Sequence, residues 1–222
     1  MLNNKTIIIT GANGVLGRAV VDVAQAQGAE VIGFDRIFDG SRDGVRQVVV
    51  DLADPKAVAA AIENLAQIDG LFNIAGGFAM GPAVHETQPS EWDAMFAMNF
   101  LTARNMCEAV VPKMLKAGGG KIVNVGALSA REGQGNMGAY CVAKSAVMRL
   151  TESMSKELRD NGINVNAVLP SILDTPTNRG DMPDADHTKW VRPQQLADVI
   201  CFLGSDSAAA VHGALLPVAG LS

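Results

Sequence analysis

Aromatic side chains are scarce in this sequence, 5% of 222 residues, and only one of them is a tyrosine. Cysteine is scarcer, with Cys107, Cys141 and Cys201 alone. An odd number, widely spaced and without a C-x-x-C pair, points to neither a disulfide framework nor a zinc knuckle. His85, His187 and His212 lack the close spacing of metal ligands, so no metal is expected. Basic residues never gather in a run, and the net charge is −5 with a pI near 5.2. A nucleic acid or an anionic membrane as partner needs basic patches, so both are excluded. Apolar runs stay far short of the ~20 residues of a membrane span. Met1–Lys5 passes directly into a strand-like Thr6-Ile7-Ile8-Ile9-Thr10, which leaves no room for a signal peptide and makes the cytoplasm the expected compartment.

What is present is enough for one substantial core. With 48% hydrophobic and 18% charged residues, the chain is expected to form a single domain over residues 1–222. Short β-branched runs alternate with longer helical stretches, the pattern of a parallel sheet covered on both faces. Strands are expected near 5–10, 30–34, 47–50, 70–74, 121–125, 163–168 and 214–218, and helices near 14–27, 54–66, 90–116, 137–160 and 193–203. Asp54-Pro55 reads as a cap and first helical residue, Ser90 as a cap, Gly118-Gly119-Gly120 as a stop, and Pro193 as a first-turn residue. The segment near 170–192, rich in Pro, Asp, Thr and Asn, reads as one long irregular stretch of the kind that forms a lid.

The first strand runs into Thr10-Gly11-Ala12-Asn13-Gly14-Val15-Leu16-Gly17-Arg18 and then an amphipathic helix. Glycines there permit a tight turn and let backbone N–H groups reach a pyrophosphate at a helix N-terminus, where the dipole favours negative charge. Gly11, Asn13, Gly14, Val15, Leu16 and Gly17 are thus candidate cofactor contacts. The spacing is G-x-x-G-x-x-G rather than G-x-G-x-x-G, so a plain structural turn is the alternative. Asp35, at the end of the second strand, fits a carboxylate that holds the adenosine ribose hydroxyls and repels a 2′-phosphate. NAD(H) is therefore favoured. NADP(H) stays open because the adjacent Arg36 can partner that phosphate.

Tyr140, the sole tyrosine, stands four residues before Lys144 at a helix start. One turn apart, the two side chains share a face, and an ammonium beside a phenol lowers a pKa that is about 10 unperturbed. That would make Tyr140 a usable proton donor. A helix tyrosine with a solvated lysine is the bland alternative.

Together with Asp51-Leu52, Asn73-Ile74-Ala75-Gly76, Asn99, Pro170 and Thr175, these residues resemble the short-chain dehydrogenase/reductase family in order and spacing, over nearly the whole chain. The resemblance implies an α/β, Rossmann-type, doubly wound parallel sheet of about seven strands with helices on both faces. It implies Tyr140, Lys144 and Asn99 as the catalytic set, with Asn99 anchoring a water that relays protons to Lys144. Asp51 would lie beside the adenine, with Leu52 next to it. Asn73, Ala75 and Gly76 would support the central strand and the nucleotide pocket. Lys144, Pro170, Ile172 and Thr175 would hold the nicotinamide half. It also implies a homodimer or homotetramer, built on the helices near 90–116 and 137–160.

The family usually places a serine 13 residues before the tyrosine, and Ala127 stands there. Ser129, two residues on in an extended segment, would point to the same side and could substitute. Ala127 together with Leu173-Asp174-Thr175-Pro176-Thr177-Asn178-Arg179 and Met182-Pro183 resembles the dihydropteridine reductases of the family, and makes Met182 and Trp190 candidate substrate residues in the lid. The leading expectation is hydride transfer to a small planar heterocycle such as a quinonoid dihydropterin, whose ring delocalises the incoming charge. The alternative is an ordinary carbonyl or alcohol oxidoreductase, including a 3-oxoacyl thioester reductase. A nucleotide-binding regulator without turnover is the third class.

Overall fold

Seven strands form a single parallel sheet: β1 (Thr6–Thr10), β2 (Glu30–Asp35), β3 (Val45–Val49), β4 (Gly70–Asn73), β5 (Gly120–Val125), β6 (Ile163–Pro170) and β7 (Leu215–Val218). The computed structural model describes all 222 residues. The strand order is β3-β2-β1-β4-β5-β6-β7. The chain works outward from β1 to β3, then crosses back to place β4 on the free side of β1. A ligand crevice opens at such a reversal, outside the carboxyl ends of the strands.

The helices are α1 (Val15–Ala26), α2 (Pro55–Glu63), α3 (Pro89–Phe96), α4 (Thr102–Ala117), α5 (Gly138–Leu158), α6 (Pro176–Asp181) and α7 (Pro193–Leu203). Alternation along β1 divides the core in two, because successive strand side chains point to opposite faces. Ile7 and Ile9 join Val20, Phe72, Leu196 and Ile200 on one face, while Ile8 joins Leu71, Val110, Met114 and Ile122 on the other. β4 and β6 are buried along their whole length. Each such Ile or Leu contributes roughly 1.5–3 kcal/mol by leaving water, so the sheet centre is the rigid part on which the crevice rests.

Local chemistry sets most boundaries. The Asp54 carboxylate accepts from the amides of Lys56 and Ala57, with Pro55 in the first turn. Gly118, at φ +84°, ends α4 in the left-handed region. Two expectations differ. Ser90 is not the cap of α3: Gln88 takes that place, its amide donating to Glu91 Oε2 at 2.8 Å, with Pro89 after it. The long helix expected over 90–116 is two helices joined by a π-helical turn, Ala97–Leu101.

The segment near 170–192 is also not irregular. Thr175 Oγ1 caps α6 by accepting from the Asn178 amide, and Arg179 Nη2 and Nε grip Asp174 at 2.8 and 2.5 Å. Asp174 N and Val191 N then reach Val191 O and Ile172 O, at 2.8 and 3.0 Å. Polar side chains, which carry no hydrophobic period, fold this stretch, and so the sequence pattern missed α6.

Candidate active site

The glycine-rich turn is a shape that side chains would fill. Gly11 sits at φ +64°, and a Cβ on it would lie 2.9 Å from Ala75 Cα. A Cβ on Gly17 would fall 1.9 Å from Gly11 O, so α1 approaches the turn only because that residue is glycine. Thr10 Oγ1 accepts from the amides of Ile74 and Ala75, both at 3.0 Å, and so locks the ends of β1 and β4 together. Asp35 Oδ2 accepts from Asn13 N at 2.9 Å, and Oδ1 from Arg36 N at 2.7 Å. This places the carboxylate at the tip of the turn. Arg36 is exposed, whereas Arg18, which the sequence reading did not assign, bonds Asn13 O at 2.7 Å and Asn13 Oδ1 at 2.8 Å and pairs with Asp39.

Asp51 is exposed and accepts from Ala53 N at 2.9 Å. Leu52 is buried, and its carbonyl oxygen accepts from Asn105 Nδ2 at 3.0 Å. Asn105 is a residue sequence reasoning missed; a buried asparagine in the middle of a helix was its only signal. Asn73 turns away from the crevice into a buried chain: its Nδ2 donates to Asn124 Oδ1, and Asn124 Nδ2 donates to Thr151 Oγ1, each at 2.9 Å. It braces β4 against β5 and α5 rather than lining the pocket.

Tyr140 and Lys144 lie in the first two turns of α5. Lys144 Nζ donates to Val125 O at 2.9 Å, at the end of β5. A Cβ on Gly76 would lie 2.8 Å from Asn99 Oδ1 and 3.2 Å from Lys144 Nζ, so both polar atoms converge on the space that this glycine leaves open. Asn99 is buried in the π turn, accepting from Gly77 N at 3.1 Å and donating to Met95 O at 3.2 Å. Beside Tyr140 is a cavity of about 170 Å³ whose lining includes Met80, Pro82, Met95 and Met137, with Glu91 as its one charged side chain.

The sequence profile of the short chain dehydrogenases matches residues 5–186. The chain belongs to that family. It is 31% identical over 242 aligned positions to the D-threitol dehydrogenase of Mycolicibacterium smegmatis, covering 99% of this chain and 93% of that protein. It is 30% identical to the L-xylulose reductase of Mus musculus (99% and 96% covered) and 26% identical to the 3-oxoacyl-[acyl-carrier-protein] reductase of Escherichia coli (97% and 96%). Among solved structures, the ligand-free aldohexose dehydrogenase of Thermoplasma acidophilum superposes with a TM-score of 0.90 at 25% identity, covering 99% of this chain and 94% of the other. A protein of Beutenbergia cavernae that carries bound NADP superposes at 0.89 with 30% identity, covering 99% and 96%.

This short-chain dehydrogenase is thus an NAD(P)-dependent oxidoreductase. The cradle fits a dinucleotide: glycine at 11 and 17 lets α1 close against the turn, and exposed Gly14 and Val15 leave the N-terminus of α1 open to a pyrophosphate. Its electrostatics correct one expectation. Burial pushes the Tyr140 phenol up to about 12, with the neighbouring Cys141 adding to the rise, instead of Lys144 bringing it down. Burial lowers Lys144 to about 8. In the protein alone, one of the three donors of the ammonium goes to the Val125 carbonyl and desolvation dominates both groups. Ala127 is buried with Ala130, Met148 and Leu169, and partly buried Tyr140 packs against them. Ser129 lies in a 3₁₀ turn, Leu128–Arg131, not in the extended segment that would aim it like residue 127. Pro170 is buried at the end of β6, Ile172 and Thr175 are half-buried, and so is Met182. Trp190 is 5% exposed, its ring 4.4 Å from that of His187, which makes it an anchor of the segment 170–192 rather than a free side chain.

Proposed function

We propose that this protein moves hydride between NAD(P)(H) and a carbonyl or alcohol carbon of a small molecule held beside Tyr140. The observation that carries this reading is the convergence of Lys144 Nζ and Asn99 Oδ1 at Gly76, next to a cavity lined by Tyr140. Bound NAD(P)H supplies the hydride. Tyr140 gives the proton to the reduced oxygen, Lys144 holds the ribose and steadies the phenolate, and Asn99 anchors the water that resupplies the proton. Asp51, Ala75, Pro170, Ile172 and Thr175 line the cofactor crevice, and Asp35 favours NAD(H) by accepting ribose hydroxyls. The relatives named above, which bear the names of sugar, polyol and acyl-thioester oxidoreductases, support this class of reaction.

A second reading, reduction of a quinonoid dihydropterin, is favoured by Ala127. No hydroxyl stands where a ketone oxygen would be held, and a delocalised ring needs one less. We further propose a single cytoplasmic domain, assembled as a dimer or tetramer through α4 and α5, whose Leu115 and Val142 are exposed.

Stopped-flow NADH and NADPH oxidation with a diketone, acetoacetyl thioester and quinonoid dihydropterin separates the readings. Carbonyl turnover that Ala127→Ser raises by about tenfold or more supports the first, since an oxyanion donor is typically worth ~2.7–4 kcal/mol. Faster pterin turnover, unimproved by Ala127→Ser, supports the second. Under either, Tyr140→Phe should cut turnover by ~10²-fold while sparing NADH affinity, and Asp35→Ser should narrow the preference for NADH. Turnover unchanged in Tyr140→Phe overturns both.

A further inference from the structure

The cavity beside Tyr140 is apolar on most of its wall, yet one ionisable carboxylate stands on it. Glu91 lies in the first turn of α3, and Glu91, Ala94 and Met95, spaced i, i+3, i+4, share one helix face; all three line the cavity. The opposite wall is Met137, Gly138 and Tyr140 of the α5 start. No lysine, arginine or histidine lines it. The nearest buried cation, Lys144, lies a turn beyond Tyr140 and is bound to Val125 O. Glu91 Oε2 accepts from Gln88 N at 2.8 Å, which fixes the carboxylate in place, while no group of the chain bonds Oε1. This carboxylate also covers the N-terminus of α3, where the helix dipole would otherwise draw an anion.

We propose that Glu91 sets the charge of the molecule that reaches Tyr140, so that the cavity admits small compounds that are neutral or cationic, those with N–H or O–H donors most readily, and turns away carboxylates and phosphates. Size agrees: about 150 Å³ suffices to hold a benzene ring in a protein, and this cavity measures about 170 Å³. The proposal rests on the reading that this cavity is the substrate's. Its consequence is a choice among substrates of the same reaction class: sugars, polyols, neutral ketones and amino-substituted heterocycles fit, whereas keto acids and phosphorylated sugars do not. Glu91 is a specificity residue and takes no part in proton transfer.

Three probes of one shape test it: benzamidinium, benzamide and benzoate, titrated by calorimetry at low salt into the NADH-saturated protein. Affinity should fall in that order, by about tenfold from cation to anion, the sum of one attraction and one repulsion at a carboxylate that is exposed to solvent. Glu91→Gln keeps an acceptor for the Gln88 amide and should bring the three within about threefold. Ala94→Lys, on the same wall, should weaken benzamidinium and strengthen benzoate, and it serves should the first variant lose its fold. Benzoate binding as tightly as benzamidinium in the unmutated protein, an order that survives both variants, or no binding of benzamidinium would each overturn the proposal. Because these are equilibrium affinities, the outcome is independent of turnover. Ordered probe binding with no activity on any carbonyl or pterin would retain Glu91 and discard the reaction.

Discussion

Lys144 is a lysine whose charge the fold opposes. The residue is 5% exposed, its ammonium has one carbonyl oxygen as partner, and burial brings its pKa down from 10.5 to about 8. Below pH 8 both folded and unfolded chains hold the proton, and the folded state bears the whole desolvation cost. Between 8 and 10.5 only the unfolded chain holds it, so stability from this group rises with pH, by roughly 3 kcal/mol across the window at most. Tyr140 and Cys107 act in the opposite sense, since burial pushes both up to about 12 and the unfolded chain loses their protons first. Comparing the unmutated protein with Lys144→Met cancels those shared groups. In urea unfolding, the unmutated protein should gain on the variant as pH climbs from 7.5 to 10.5; a flat difference would place the ammonium in solvent. The same burial explains what sequence spacing could not supply for Tyr140. An i, i+4 lysine was visible, but the number of waters removed from each group is set by β5, the π turn and α3, which are distant in sequence.

At the scale of elements, the Asn73–Asn124–Thr151 chain ties β4, β5 and α5 together. Thr151 Oγ1 also donates to Val147 O at 2.8 Å. Thr151→Val keeps the volume but leaves Asn124 Nδ2 without its acceptor in a site of no exposure, which should cost about 1–3 kcal/mol in unfolding free energy. A loss under about 0.5 kcal/mol would mean that the amide finds another partner. Every strand of the sheet was legible, and so were α1, α2, α5 and α7, with α3 and α4 read as one helix, because burial on one or both faces writes itself into composition. Features set by single hydrogen bonds were less so. The π turn leaves no pattern in Ala97-Met98-Asn99-Phe100-Leu101, and it is what turns Asn99 toward Gly77. α6 depends on Thr175, Pro176 and the Asp174–Arg179 pair, and Trp190 reads as a candidate substrate residue until Val191 is seen pairing with Leu173. Of the candidate site, the placing of the glycine turn and Asp35 at the ends of β1 and β2, and of Tyr140 and Lys144 at the start of α5, was legible from motif and order, whereas Glu91 and Asn105 become visible only when the chain is folded.

For the whole molecule, parallel pairing means that every strand delivers its carboxyl end to one rim of the sheet. Asp35 ends β2, and Gly11, Gly76, Ala127 and Thr175 follow the ends of β1, β4, β5 and β6. The opposite rim carries only return connections such as 64–69 between α2 and β4, where Ala66 and Gln67 are exposed between buried Leu65 and Ile68. The two rims differ in how freely they accept new chain. A ten-residue Gly/Ser insertion between Ala66 and Gln67 should cost little stability, as loop closure grows by only about 0.6 kcal/mol per doubling of length, and should leave turnover and cofactor affinity within about twofold. The same insertion after exposed Ala79, in the wall of the Tyr140 cavity, should abolish turnover while the protein still unfolds cooperatively. Comparable losses at both places would contradict the division. If it holds, the return rim is where this enzyme can be tagged, tethered to a surface or fused to a second protein without any contact with its chemistry.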